Sequence, residues 1–222
     1  MFIGHYGPAL AAKPLEKTIP LWLLFVAVQW MDFCWAVLVL LGVEKARVVP
    51  GFTEGSALDL YFMPFTHGLL GAATLSLLFG LAGALVLRQG KGLAIAVLAG
   101  AVFSHWLLDF IVHVPDLPLV GDHMKVGLGL WRHVGLSLPL ELVFLGVGAI
   151  IYARSKPSQL GGQVALWTFV AVMAAFQVYA NFGPPPASPQ AEAVMALVAY
   201  TALAGLAGLV EWTRKPANAV RE

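Results

Sequence analysis

Long apolar runs separated by short polar or Pro- and Gly-bearing breaks recur along the chain. Six of them, residues 19–43, 67–88, 93–113, 134–153, 164–182 and 191–212, are long enough to cross roughly 30 Å of hydrocarbon as helices of about 20 residues. A helix satisfies its own backbone groups in lipid, whereas an open strand does not. The pattern therefore predicts an all-α fold: a polytopic membrane helix bundle of about six transmembrane spans, with residues 1–222 as one integral membrane domain. Residues 1–18 are too polar and too Pro-interrupted to span, and read as a surface or re-entrant N-terminal helix. The breaks read as an external loop over 44–66, with Pro50, Gly51 and Pro64, a tight turn over 88–92, a second external loop over 114–133, and a Gly183-Pro184-Pro185-Pro186 turn. Gly68, Gly71, Gly80 and Gly83 offer positions where helices can approach closely, as does a small-residue face with Ala204 and Gly208. The last two spans read as scaffold, with Gln177 within reach of a polar cavity.

Composition agrees with the pattern. Apolar residues make up 59% of the chain and charged residues 11%, and the mean hydropathy is +0.82, which excludes a soluble fold. The expected surroundings are a lipid bilayer. A net charge of +1 leaves no basic face for phosphates, so no nucleic-acid partner is expected. Cys34 stands alone, which excludes an intrachain disulfide framework. The first 18 residues lack a short apolar signal region, so the first span is expected to be retained. In the six-span topology Lys13, Lys17, Arg88, Lys91, Arg154, Lys156, Arg214, Lys215 and Arg221 fall on one side, against Lys45, Arg47, Lys125 and Arg132 on the other, which predicts cytoplasmic termini.

The chemistry concentrates in residues 104–116, SHWLLDFIVHVPD. His105, Asp109 and His113 are spaced i, i+4, i+8, and at about 100° per residue they share one helix face. An unpaired charge in a span costs roughly 2.5–3.5 kcal/mol on insertion scales, so these groups need compensating partners. Others stand at matched depth: Asp32 in the first span, three residues after Gln29; His67 at the outer end of the second; His133 and Glu141 at the start of the fourth. All these groups fall between the midplane and the outer face, whereas the inner halves are almost free of ionisable residues apart from boundary groups such as Glu211.

Imidazole and carboxylate suit a divalent metal, zinc first, with manganese or iron as alternatives, and His-x3-Asp lets two side chains of one helix grip one ion. Such an ion compensates the buried carboxylates and activates water. Glu141, His113 and Asp116 are candidates for general base, general acid or orienting roles.

The order of these residues carries a resemblance. His5, then Gln29-Trp30-Met31-Asp32, Thr66-His67-Gly68 and Ser104-His105-x3-Asp109 follow the motif order of the bacterial membrane-bound metal-dependent hydrolase family, also described as inner-membrane LexA-binding hydrolases. The chain resembles that family over residues 1–120, with one Asp in place of paired acids and without the Arg and Ser that flank the family's central His. A thinner similarity, in the early His, the Asp and the His-x3-Asp, is to the helical zinc-dependent phospholipases C. The resemblance implies metal ligation by His67, His105, Asp109 and Asp32, with His5 as a further ligand where its segment folds back. It also implies a bacterial inner-membrane location and hydrolysis of a phosphoester or lipid-linked substrate. The residues by themselves leave two other classes open: a proton- or cation-coupled transporter or permease, and a structural membrane subunit whose polar groups fix helix register.

Overall fold

A computed structural model describes residues 1–87, 91–155 and 157–214. It is 68% helical, an all-α bundle with one two-stranded hairpin. The helices are α1 (Tyr6–Ala12), α2 (Leu21–Val28), α3 (Trp30–Leu40), α4 (Leu69–Leu87), α5 (Lys91–Val112), α6 (Val134–Ser155), α7 (Leu160–Phe182) and α8 (Pro189–Thr213), and the strands are β1 (Lys45–Val48) and β2 (Leu58–Phe62). Residues 88–90 of the expected turn, and Arg88, Lys156, Lys215 and Arg221 of the charge count, lie outside the described residues.

The helices α4 to α8 are each long and apolar enough to cross a membrane. The run at 19–43 is different: α2 and α3 meet at Gln29 with a bend of 54°, so the expected continuous first span is instead two short helices, a broken span or a re-entrant loop. Its break has partners. The Gln29 side-chain amide donates to the Phe2 carbonyl at 3.4 Å, and the Val28 carbonyl at the end of α2 accepts from His105 Nδ1 at 2.7 Å. Non-helical backbone at such depth is tolerated where neighbours supply its hydrogen bonds.

The N-terminal segment folds back into the bundle. A short 3-10 turn, Ile3–His5, leads into α1, and Ile3, His5, Tyr6, Gly7 and Leu10 are buried in the bundle. Lipid supplies little hydrophobic drive between helices, so close approach through small residues decides packing. A Cβ on Gly148 of α6 would run into the Gly7 backbone, and one on Gly7 into the Phe144 carbonyl, so α1 can lie against α6 only because both positions are glycine. Gly80 and Gly83 face α5 in the same way, at Ala99 and Leu98. Gly68 and Gly71 instead face the backbone of Pro64 and Phe65, the turn that opens α4.

Two ends of the bundle are chemically distinct. At one end Lys13 pairs with Glu211 at 2.7 Å and donates to the carbonyls of Lys17 and Ile19, while Arg214 lies over the Tyr152 ring. At the other end lies the hairpin, where the expected loop pairs β1 with β2, Arg47 meets Asp59 at 2.6 Å, and Lys125 donates to the Tyr61 carbonyl.

Candidate metal centre

Four elements deliver imidazoles and carboxylates to one buried spot in the hairpin half of the bundle. The 3-10 turn brings His5, α3 brings Asp32, the turn before α4 brings His67, α5 brings His105 and Asp109, and His113 follows directly at the end of α5. Asp109 lies at the middle. Its Oδ2 is 3.1 Å from His105 Nε2, 3.6 Å from His67 Nε2 and 3.6 Å from His113 Nε2, and its Oδ1 is 3.2 Å from His5 Nε2. Asp32 Oδ1 lies 3.3 Å from His67 Nε2 and 3.5 Å from His105 Nε2. The Met1 α-amino group, 2.6 Å from Asp109 Oδ1, adds positive charge against that carboxylate.

The rear of three of the rings explains why their Nε2 points inward, whereas His5 Nδ1 is buried without a hydrogen bond. His105 Nδ1 meets the Val28 carbonyl at 2.7 Å, and His113 Nδ1 meets Asp116 Oδ1 at 2.9 Å. His67 Nδ1 meets Thr66 Oγ1 at 2.8 Å, and that hydroxyl donates to Glu44 Oε2 at 2.6 Å. Glu44 is fixed in turn by the backbone N–H groups of Phe65 and Thr66. A ring whose Nδ1–H is donated to an acceptor presents a lone pair at Nε2, the arrangement found around metal-ligating histidines. His5 Nε2 and His105 Nε2 are buried without a hydrogen bond, so the cluster holds polar atoms with unused capacity. Burial, with His105 beside it, pushes the His5 imidazole down to about 3, keeping it neutral as ligation requires.

Two trios offer one ligand atom each with all atoms within 4.8 Å: His5, His105 and Asp109, and Asp32, His67 and His105. The cluster has the donor set and the spacing to hold a metal ion. His105 belongs to both trios, and its single Nε2 lone pair serves one ion at a time.

Every expected metal ligand, His5, Asp32, His67, His105 and Asp109, is thus in the cluster. His113 joins it with Asp116 behind. Glu141 stands one layer back: its carboxylate accepts from the backbone N–H groups of Phe2 at 2.8 Å and Gly4 at 3.2 Å, and from Gln177 at 3.3 Å. Gln177 also accepts from Ile3 N–H, so these two residues hold the segment that carries His5. His133 is exposed and outside the cluster. Glu44 and Tyr200 are additions that the sequence reading lacks; the Tyr200 hydroxyl donates to Asp32 Oδ2 at 2.9 Å. A lone Glu just past an apolar run, and a Tyr inside one, were the available signals.

Asp32 is the accessible member. Its side chain is 15% exposed, against 3% or less for His5, His67, His105, Asp109 and His113. Fold and site together define a polytopic helical membrane protein with a buried His/Asp cluster. No family profile, curated protein or solved structure matches the chain.

Proposed function

We propose that this protein is a metal-dependent hydrolase embedded in a bacterial inner membrane, with cytoplasmic termini, acting on a phosphoester or lipid-linked substrate. One observation carries the reading: four imidazole Nε2 atoms and two carboxylates converge, and three of the rings are held at Nδ1 from behind. Proton-relay chains and register-fixing polar residues do not need that rear support for one inward lone pair per ring. The motif order shared with the membrane-bound metal-dependent hydrolases points the same way.

His67, His105, Asp109, Asp32 and His5 would hold the ion, with zinc favoured by the imidazole-rich set over manganese or iron. When bound, the ion supplies Lewis-acid activation of water and of an ester oxygen. The chain's own residues do the rest. Asp32, the accessible carboxylate, stands where a reactant meets the cluster, and Tyr200 holds it in place. His113, oriented by Asp116 through Nδ1, keeps Nε2 free to accept or deliver a proton at the centre. Trp131 packs against the His113 ring, centroids 4.3 Å apart, and holds it in place.

The test is metal content by plasma mass spectrometry on detergent-purified protein, wild type beside a His105→Ala, Asp109→Ala variant, followed by hydrolysis of a lipid phosphoester panel. Stoichiometric metal and hydrolysis in the wild type, both lost in the variant, are expected. Wild-type protein that stays metal-free after zinc or manganese addition overturns the reading.

A further inference from the structure

The stacked rings of His5 and His105 limit where a metal can sit. Their centroids are 3.7 Å apart and their planes lie 4° from parallel. An imidazole binds a metal along its Nε2 lone pair, which lies in the plane of the ring, at about 2.0–2.1 Å for zinc. Stacked rings do not close much below van der Waals contact, about 3.5 Å. An ion in the His105 plane is therefore farther than a coordination bond from His5 Nε2. One ion cannot take both nitrogens, although both lie against the Asp109 carboxylate and both are buried without a hydrogen bond.

The donors divide between two positions. On the His105 side stand Asp109 Oδ2, His67 Nε2 and Asp32 Oδ1, and neighbouring atoms of this set of four lie 3.1, 3.3, 3.5 and 3.6 Å apart. Tetrahedral ligands with bonds of about 2.1 Å stand roughly 3.4 Å from one another, so the set fits one ion. On the other side, His5 Nε2 is 3.2 Å from Asp109 Oδ1, the second oxygen of the same carboxylate. The Met1 α-amino group already sets a positive charge against that oxygen, at 2.6 Å. His113 Nε2, 3.6 Å from Asp109 Oδ2, is left to its proton-transfer role.

We infer that the cluster is a two-ion centre. One divalent ion lies on His105, His67, Asp32 and Asp109 Oδ2; a second lies on His5 and Asp109 Oδ1, taking over the role of the Met1 charge, and the Asp109 carboxylate bridges the two. The stack separates the two ring planes by a spacing close to the roughly 3.5–4 Å between the ions of two-metal sites. With two protein ligands against four, the second ion binds more weakly and keeps more open positions. Two divalent ions carry four positive charges against two inward carboxylates, and the surplus suits an anionic phosphoester over a neutral carboxylic ester. Occupation of either position rests on the metal-dependent reading above; the division into two rests on the stack.

The experiment titrates the detergent-purified full chain with manganese and reads bound metal by plasma mass spectrometry and electron paramagnetic resonance on the same samples. Wild type is expected to bind two ions per chain, the second with lower affinity, and to pass from the hyperfine-split spectrum of an isolated ion to the broad, exchange-coupled spectrum of a pair. His5→Phe keeps the stack without the nitrogen, and should stop at one ion with the isolated spectrum. Inorganic phosphate should alter the coupled spectrum. Saturation of the wild type at one ion overturns the two-ion centre and leaves the hydrolase reading standing, whereas a chain that binds no metal overturns both. Two ions without coupling overturn the Asp109 bridge, and a coupled pair that survives in His5→Phe overturns the His5 position. A coupled spectrum unmoved by inorganic phosphate overturns the phosphoester assignment.

Discussion

The imidazoles of His5 and His105 lie face to face, centroids 3.7 Å apart and planes 4° from parallel. One comes from the N-terminal turn and the other from the middle of α5. Two imidazolium ions at that distance would repel, so the pair requires at least one neutral ring, and burial makes His5 that ring. The stack thereby holds a neutral nitrogen donor beside Asp109.

Stacking and ligation can be separated by His5→Phe. A phenyl ring keeps the face-to-face contact with His105 and offers no nitrogen. The variant should fold with a melting temperature within a few degrees of wild type, yet lose metal affinity by more than the ~10-fold lower bound typical of losing an outer partner. Competition with a chelator measures the affinity, and unchanged affinity would show that His5 is a packing residue only.

Thr66→Val removes the hydroxyl between Glu44 and His67 while keeping the side chain's shape. His67 then loses the acceptor behind Nδ1, and metal affinity should fall about 10–100-fold. Thr66→Ser should restore most of it. The same chelator titration reads both, and a Val variant indistinguishable from wild type would remove the Glu44–Thr66–His67 chain from the centre.

Gly148→Leu places a side chain where Gly7 now touches α6. The overlap is with backbone, which cannot step aside, so α1 must lift off. A destabilisation of about 1–3 kcal/mol is expected. Metal loss should accompany it, because His5 leaves with α1. Thermal unfolding and metal content, measured together, check the link; a destabilised protein with full metal would break it.

Glu141→Ala should act through the N-terminal segment. The Phe2 and Gly4 N–H groups lose their acceptor at a cost of about 1–3 kcal/mol each when they stay buried. Faster proteolysis near residues 1–12 is the expected sign. A variant that keeps its resistance to proteolysis but loses hydrolysis would make Glu141 a proton-transfer group instead.

Much of this architecture is legible in the sequence because lipid gives a spanning backbone few choices. The runs that become α4 to α8 are read to within a few residues for that reason. The break at Gln29 is not legible: residues 21–41 contain neither Pro nor Gly, and the bend is accompanied by partners distant in sequence, Phe2 and His105. The hairpin escapes notice because four- and five-residue strands between loop residues carry little periodicity. Asp32, His67, His105 and Asp109 stand out as ionisable residues in apolar surroundings. His5 does not, since its depth depends on Glu141 and Gln177, which follow more than a hundred residues later. Glu44 and Tyr200 look like boundary and belt residues until the fold brings them against Thr66 and Asp32.

The buried N-terminal segment also fixes an order of assembly. It is made before the helices that receive it, yet its berth is cut by Gly148, Glu141 and Gln177 on α6 and α7. Until those helices are in the membrane, His5 has no place to go and the centre lacks one of its nitrogens. Tyr200 on α8 completes the support of Asp32 later still. A chain halted before its last helices therefore has an unfinished cluster, so a closed His/Asp cluster marks a protein whose helices through α8 are in place.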